Sequence, residues 1–105
     1  MHSELGRIAS LLATQLTDTL PDKTLIASQL GMSERTLQRR LKEEGTSFQA
    51  LLDRTRHYLA RELLRNTRVP LTDVALQLGF SEPSTFFRAF KKWEGMTPGQ
   101  FRGGG

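Results

Sequence analysis

The chain has 105 residues, with 15 Lys and Arg against 11 Asp and Glu, a formal net charge of +4, and no cysteine. That length gives room for one compact domain or two very small ones sharing an element, and 37% hydrophobic residues with a mean hydropathy of −0.41 suit a soluble globular chain with a modest core. Disulfides, thiol catalysis and cysteine-ligated zinc are excluded, and no apolar run approaches the roughly 18 residues of a membrane span.

In chain order, Leu5, Ile8, Leu12 and Leu16 stand at helical spacing and predict an N-terminal helix, broken by Pro21 and Asp22. Thr24–Leu30 then reads as a short helix with Ala27 facing inward, closed by Gly31 as a left-handed terminal residue. Ser33 is expected to cap the next helix, and Met32 to staple onto Leu37. That helix is basic: residues 35–42 carry Arg35, Arg39, Arg40 and Lys42 and no acid. A long helix is predicted from about Phe48 to Arg65, with Phe48, Leu51, Leu52, Thr55, Leu59 and Leu63 as its apolar stripe. Thr46 and Gln49 have capping-box spacing at its start, where Ser47 is a competing cap. Thr72–Leu78, Gly79 and Ser81 repeat the helix–glycine–cap sequence, Ser81 being expected to cap a second basic helix. In that helix residues 83–93 hold Arg88, Lys91 and Lys92 without an acid. Gly95 stops it, and Thr97-Pro98 opens a short helical turn through Phe101.

Two of these segments are copies. Thr24, Ala27, Leu30, Gly31 and Ser33 match Thr72, Ala75, Leu78, Gly79 and Ser81 at an offset of 48. After one inserted residue, Thr36, Leu37, Leu41 and Lys42 match Thr85, Phe86, Phe90 and Lys91 at an offset of 49. Two copies are too few for a solenoid, so the pattern is a duplicated supersecondary unit. Helix, glycine turn and capped helix, with a small alanine four residues before the glycine where the helices cross closely, is the helix-turn-helix pattern. An all-α chain follows: residues 1–46 and 67–105 as helix-turn-helix subdomains, and residues 47–66 as a linker helix. At about 1.5 Å per residue that helix is a rod of roughly 27–30 Å, close to the roughly 34 Å between successive major-groove openings.

The charge excess is localised. Residues 1–32 hold Arg7 and Lys23 against Glu4, Asp18 and Asp22, a balance of −1, whereas both basic helices lack acids across their charged stretches. Two basic segments on a nearly neutral body suggest a polyanion partner. Placed at 100° per residue, Leu37 and Leu41 define the core face of the first basic helix, and Phe86, Ala89, Phe90 and Trp93 that of the second. Arg35, Gln38, Arg39 and Lys42 then face outward, matched by Ser84, Phe87, Arg88 and Lys91. Arginine can grip guanine O6 and N7, and glutamine suits adenine. Phe87 occupies the glutamine position and is expected to meet a thymine methyl group, the alternatives being that it covers the seam against the long helix or is a lone exposed apolar residue. Lys42, Lys91, Ser33 and Ser81 are expected on phosphates. Arg40 aligns with Ala89 at the core edge and is expected to pack through its stem. Lys92 points away from the groove face, and Tyr58 and Trp93 are read as packing residues.

These residues resemble the DNA-binding domain of the AraC/XylS family of bacterial transcription regulators over nearly the whole chain. The match is carried by Val74-Ala75, Leu78-Gly79-Phe80-Ser81, Thr85-Phe86, Arg88-Ala89-Phe90-Lys91, Met96-Thr97-Pro98 and Phe101-Arg102. In the first copy it is carried by Ala27, Leu30, Met32-Ser33, Leu37, Arg40-Leu41, Gly45 and Ser47. The resemblance implies seven helices, with two reading helices, about residues 34–43 and 83–93, entering adjacent major grooves on one face of the duplex. By position it carries base contact to Arg35, Gln38 and Arg39 and to Ser84, Phe87 and Arg88. Phe87 departs from the small or polar residues usual there.

Double-stranded promoter DNA is the expected partner, RNA polymerase a further candidate, and the bacterial cytoplasm the expected location, with no membrane, metal or cofactor. His2 and His57 are the two histidines, and no His/Asp/Glu spacing resembles a catalytic set, so no enzyme activity is expected. A helical protein-interaction module is the competing class; steep loss of duplex affinity with salt separates the two. Family members often carry a separate ligand-binding or dimerising domain, so the chain is expected to be part of a longer regulator, monomeric by itself, with a dimer as the candidate state of the whole protein.

Overall fold

A computed structural model describes residues 4–16 and 21–104. The helices are α1 Glu4–Leu16, α2 Lys23–Gln29, α3 Glu34–Glu43, α4 Phe48–Asn66, α5 Leu71–Gln77, α6 Pro83–Glu94 and α7 Pro98–Gly104. The described residues contain these seven helices and no strand, in agreement with the all-α expectation. The chain divides into two compact units, Met1–Thr55 and Arg56–Gly105, so the boundary falls inside α4.

In the first unit α2 packs on α1 and on α3. Its buried apolar residues are Ile8, Leu12 and Leu16 of α1, Ile26 and Ala27 of α2, Leu37 and Leu41 of α3, and Leu51 and Leu52 of α4. Ala27 is buried where α2 meets α3, the position that the repeat reserves for a small side chain. In the second unit one cluster joins Ala60 and Leu64 of α4, Val74, Ala75 and Leu78, Phe80 in the turn, and Phe86 and Phe90 of α6. Here the expected stripe shifts. Ala60 and Leu64 are fully buried, while Leu59 and Leu63 pack at the margin.

The turns follow from glycine. At Gly31 (φ 72°) the Met32 N–H bonds the Ala27 carbonyl at 3.0 Å and the Gly31 N–H bonds that of Ser28 at 3.1 Å. At Gly79 (φ 85°) Phe80 and Gly79 repeat the pattern onto Ala75 and Leu76, at 3.1 and 3.0 Å. Both are Schellman closures, which satisfy the last helical carbonyls and require a left-handed residue. The alanine of each copy thus serves twice, as the small crossing residue and as the acceptor that ends its helix.

The helix starts differ between copies. Ser33 caps α3 as expected, its Oγ accepting from the Thr36 N–H at 3.1 Å. Ser81 does not cap α6: the cap residue is Glu82, with no side-chain cap bond, and Pro83 follows in the first turn. The inserted residue shifts the cap position one step past Ser81, and proline removes one of the N–H groups that a cap would satisfy. At α4 the cap is Ser47, whose Oγ accepts from the Ala50 N–H at 3.1 Å, while the Gln49 amide instead donates to Asp53 at 3.0 Å. Asp22 caps α2 through the Leu25 N–H at 2.8 Å. Thr97 and Gln100 form a reciprocal capping box at α7, at 3.1 and 3.0 Å.

Tyr58 corrects a further expectation: it is 62% exposed, its hydroxyl donating to Glu62 at 3.1 Å. It lies about 160° around the helix from the buried Ala60. Trp93 does pack, stacked on His57 with centroids 5.3 Å apart.

Candidate nucleic-acid interface

Each of the two basic helices turns one face inward and leaves the other to solvent. On α3, Leu37 and Leu41 are buried and Arg35, Gln38, Arg39 and Lys42 are exposed. On α6, Phe86 and Phe90 are buried and Ser84, Arg88 and Lys91 are exposed. Ser33 and Ser81 are exposed before the respective helices, the Ser33 hydroxyl also donating to Thr36 Oγ1 at 3.1 Å. Arg40 is half-buried at the core edge and Lys92 is exposed. Among the described residues Arg35, Arg39, Lys42, Arg88 and Lys91 form no ion pair, so their charge is directed at solvent. Gln38 and Lys42 are brought together as lining of one surface pocket.

Phe87 differs from its neighbours. It is half-buried and packs against the apolar cluster of its unit, its ring 5.9 Å from that of Phe86. The helical wheel supplies the reason. Phe87 stands only about 60° from Phe90, nearer the core than Ser84, Arg88 or Lys91, and a ring at that flank gains by folding toward apolar surface. Part of it remains accessible beside Arg88.

Behind α6, three polar arrangements hold the second unit together. Arg56, 8% exposed, donates from Nε to the Leu78 carbonyl at 3.0 Å and from Nη2 to the Gly79 carbonyl at 3.4 Å, with its guanidinium 4.2 Å from the centre of the Phe80 ring. It therefore grips the turn between α5 and α6. His57 Nε2 lies 2.6 Å from Glu94 Oε1, tying the last residue of α6 to α4. Arg61 Nε approaches the same oxygen at 3.2 Å as an ion contact, without hydrogen-bond alignment. Arg102 donates to the carbonyls of Leu64, Val69 and Leu63 at 3.2, 2.6 and 3.3 Å, closing the end of α4. Sequence reasoning took α4 as a stripe of apolar residues and missed Arg56. The available signal was its place four residues before Ala60, on the same helical face.

The arrangement suits recognition of a polyanion by side chains carried on rigid helices. Among the described residues no group of His, Asp or Glu could hold a metal ion, and no described helix is long and apolar enough to cross a membrane.

Comparison with known proteins places these features in context. A family model described as a helix-turn-helix domain matches residues 26–104. The ornithine utilization regulator of Pseudomonas aeruginosa is 42% identical over 98 residues, covering 93% of this chain and 29% of that protein. The crystal structure of a transcriptional regulator with an AraC-type DNA-binding domain from Chromobacterium violaceum superposes with a TM-score of 0.85 at 27% identity, over 94% of this chain and 88% of that one. The DNA-binding domain of the global transcriptional factor AdpA, crystallised with a target DNA, gives a TM-score of 0.80 at 25% identity, over 98% and 93% of the two chains. The chain spans about a quarter of the length of the curated relatives it matches, 24% and 29% in two cases.

Proposed function

The chain belongs to the AraC-type helix-turn-helix family, and on that premise we propose that it is the sequence-specific, double-stranded-DNA-binding part of a bacterial transcription regulator. The observation that carries this reading is the pair of helices α3 and α6, each presenting an exposed arginine, Arg39 and Arg88, that forms no ion pair among the described residues and stands opposite a buried apolar face. Arg35, Arg39 and Arg88 are assigned to guanine edges, each bidentate pair contributing about 1–3 kcal/mol of discrimination, and Gln38 to adenine. Ser84 has a shorter reach than Arg35 and reads less. The accessible part of Phe87 is assigned to a thymine methyl. Ser33, Lys42, Ser81 and Lys91 hold phosphates and set register.

In the same proposal residues 1–46 and 67–105 are the two reading subdomains, α4 connects them, and α3 and α6 occupy successive major-groove segments of one promoter site. The regulator acts in the cytoplasm, with RNA polymerase as a further partner. This part alone is monomeric, and dimerisation and effector response belong to the remainder of a longer protein.

Selection from random duplexes tests the reading. A defined site should emerge, its affinity falling steeply with salt as counterions are released. Arg39→Glu combined with Arg88→Glu should abolish specific binding while helical circular dichroism stays unchanged. Failure to retain any duplex at low salt, or selection indifferent to both substitutions, refutes it.

A further inference from the structure

Lys23 lies in the part of the chain with a local charge of −1, and nothing in its sequence setting points to DNA. The fold gives it a different setting. A surface pocket of about 410 Å³ has Leu41 and Phe48 as its apolar part and is otherwise lined by Lys23 at the start of α2, Gln38 and Lys42 on α3, and Thr46, Ser47 and Gln49 around the start of α4. No carboxylate lines it, and among the described residues neither lysine forms an ion pair. Asp22, next to Lys23, caps α2 through the Leu25 N–H, and Asp53 accepts from the Gln49 amide; Glu43 and Glu44, which follow Lys42, do not line the pocket. Ser47 Oγ accepts from the Ala50 N–H and keeps its own hydroxyl hydrogen to donate.

Lys23 is also poorly placed for its own helix. It is the first residue of α2, where a cation opposes the helix dipole, and no acid stands in that first turn. Lysine there is locally unfavourable, which is the pattern expected when a residue serves a ligand. The duplicate copy confirms that the helix does not require it, since the residue 48 positions later is Leu71.

We propose that this pocket receives a backbone phosphate of the bound duplex, held between Lys23 and Lys42 beside the reading residue Gln38. The assignment rests on the DNA-reading proposal above and extends it. Lys23 becomes an interface residue, and the first unit holds the phosphodiester chain by a clasp that the second unit, with Leu71, does not have. Lys23 reads no base, so its contribution is the same for every sequence presented to α3.

The test uses Lys23→Gln and Lys23→Arg in the full chain, titrated against the selected duplex over a range of salt concentrations. Lys23→Gln should lower the slope of log affinity against log salt by about 1, with the same fold-weakening on every base-substituted site, and Lys23→Arg should restore the slope. A duplex carrying neutral methylphosphonates one at a time should contain one position that weakens the natural chain and leaves Lys23→Gln indifferent. An unchanged slope, a weakening that depends on base identity, or no such position overturns the pocket assignment. Arg39→Ala on the same duplexes separates the two proposals: if it removes base preference while Lys23→Gln has no effect, DNA reading stands and the phosphate site falls. If the natural chain itself binds no duplex, both fall.

Discussion

Arg56→Met removes the grip on the helix-turn-helix corner while leaving most of the volume in place. In the structure Arg56 is 8% exposed and bonds two carbonyls, Leu78 at 3.0 Å and Gly79 at 3.4 Å, while lying over Phe80 at 4.2 Å. A hydrogen bond from a charged donor contributes about 1.5–3 kcal/mol. The 3.4 Å contact is long and counts for little, and the cation–ring contact adds about 0.5–2 kcal/mol. Against this, methionine escapes the desolvation that burying a guanidinium costs, and apolar replacement of buried charge is sometimes neutral. The orphaned Leu78 carbonyl, on a buried residue, decides the sign, because an unsatisfied buried acceptor costs about 1–3 kcal/mol. We expect a net loss of about 2 kcal/mol, which for a domain of this size lowers Tm by about 8 °C. Urea denaturation followed by the single tryptophan, Trp93 in the second unit, reads this directly. A variant within about 0.5 kcal/mol of the natural chain, the ordinary range for surface substitutions, would refute the claim that this arginine secures the turn.

Two further outcomes follow from the same geometry. Phe87→Ser should relax preference at a single T-containing position, measured by base-by-base substitution of the site, and should cost about 1–2 kcal/mol of stability for the packed part of the ring; unchanged preference at every position removes the thymine assignment and leaves Phe87 as packing alone. Tyr58 is the chain's single tyrosine, and its hydrogen bond to Glu62, reinforced by the carboxylate's charge and slight burial, holds its phenol above the ordinary value. The folded-state pKa is raised, so the favourable contribution is intact below the unfolded value and is lost as pH rises through the folded one. Phenolate absorbance should therefore appear at lower pH in Glu62→Gln, and coincident curves would contradict the pairing.

Much of the candidate interface was legible in the residues themselves. The 48- and 49-residue offsets exposed the duplication, and 100° steps around each basic helix placed Arg35, Gln38, Arg39 and Lys42 outside because Leu37 and Leu41 had to be inside. Gly31 and Gly79 announced their turns because a left-handed residue is needed there and other side chains resist it. These are local constraints, settled within a few residues.

What tertiary structure alone decided depends on neighbours remote in the chain. Arg56 is buried because the Leu78 and Gly79 carbonyls, 22 and 23 residues away, need a donor. Phe87 leans inward because apolar surface in its unit lies within reach of a ring at the flank of α6. Lys23 joins Gln38 and Lys42 because packing of α2 on α3 brings their ends around one pocket. Periodicity says which side of a helix faces water, but only the partner packed against it determines which polar groups lie within bonding distance.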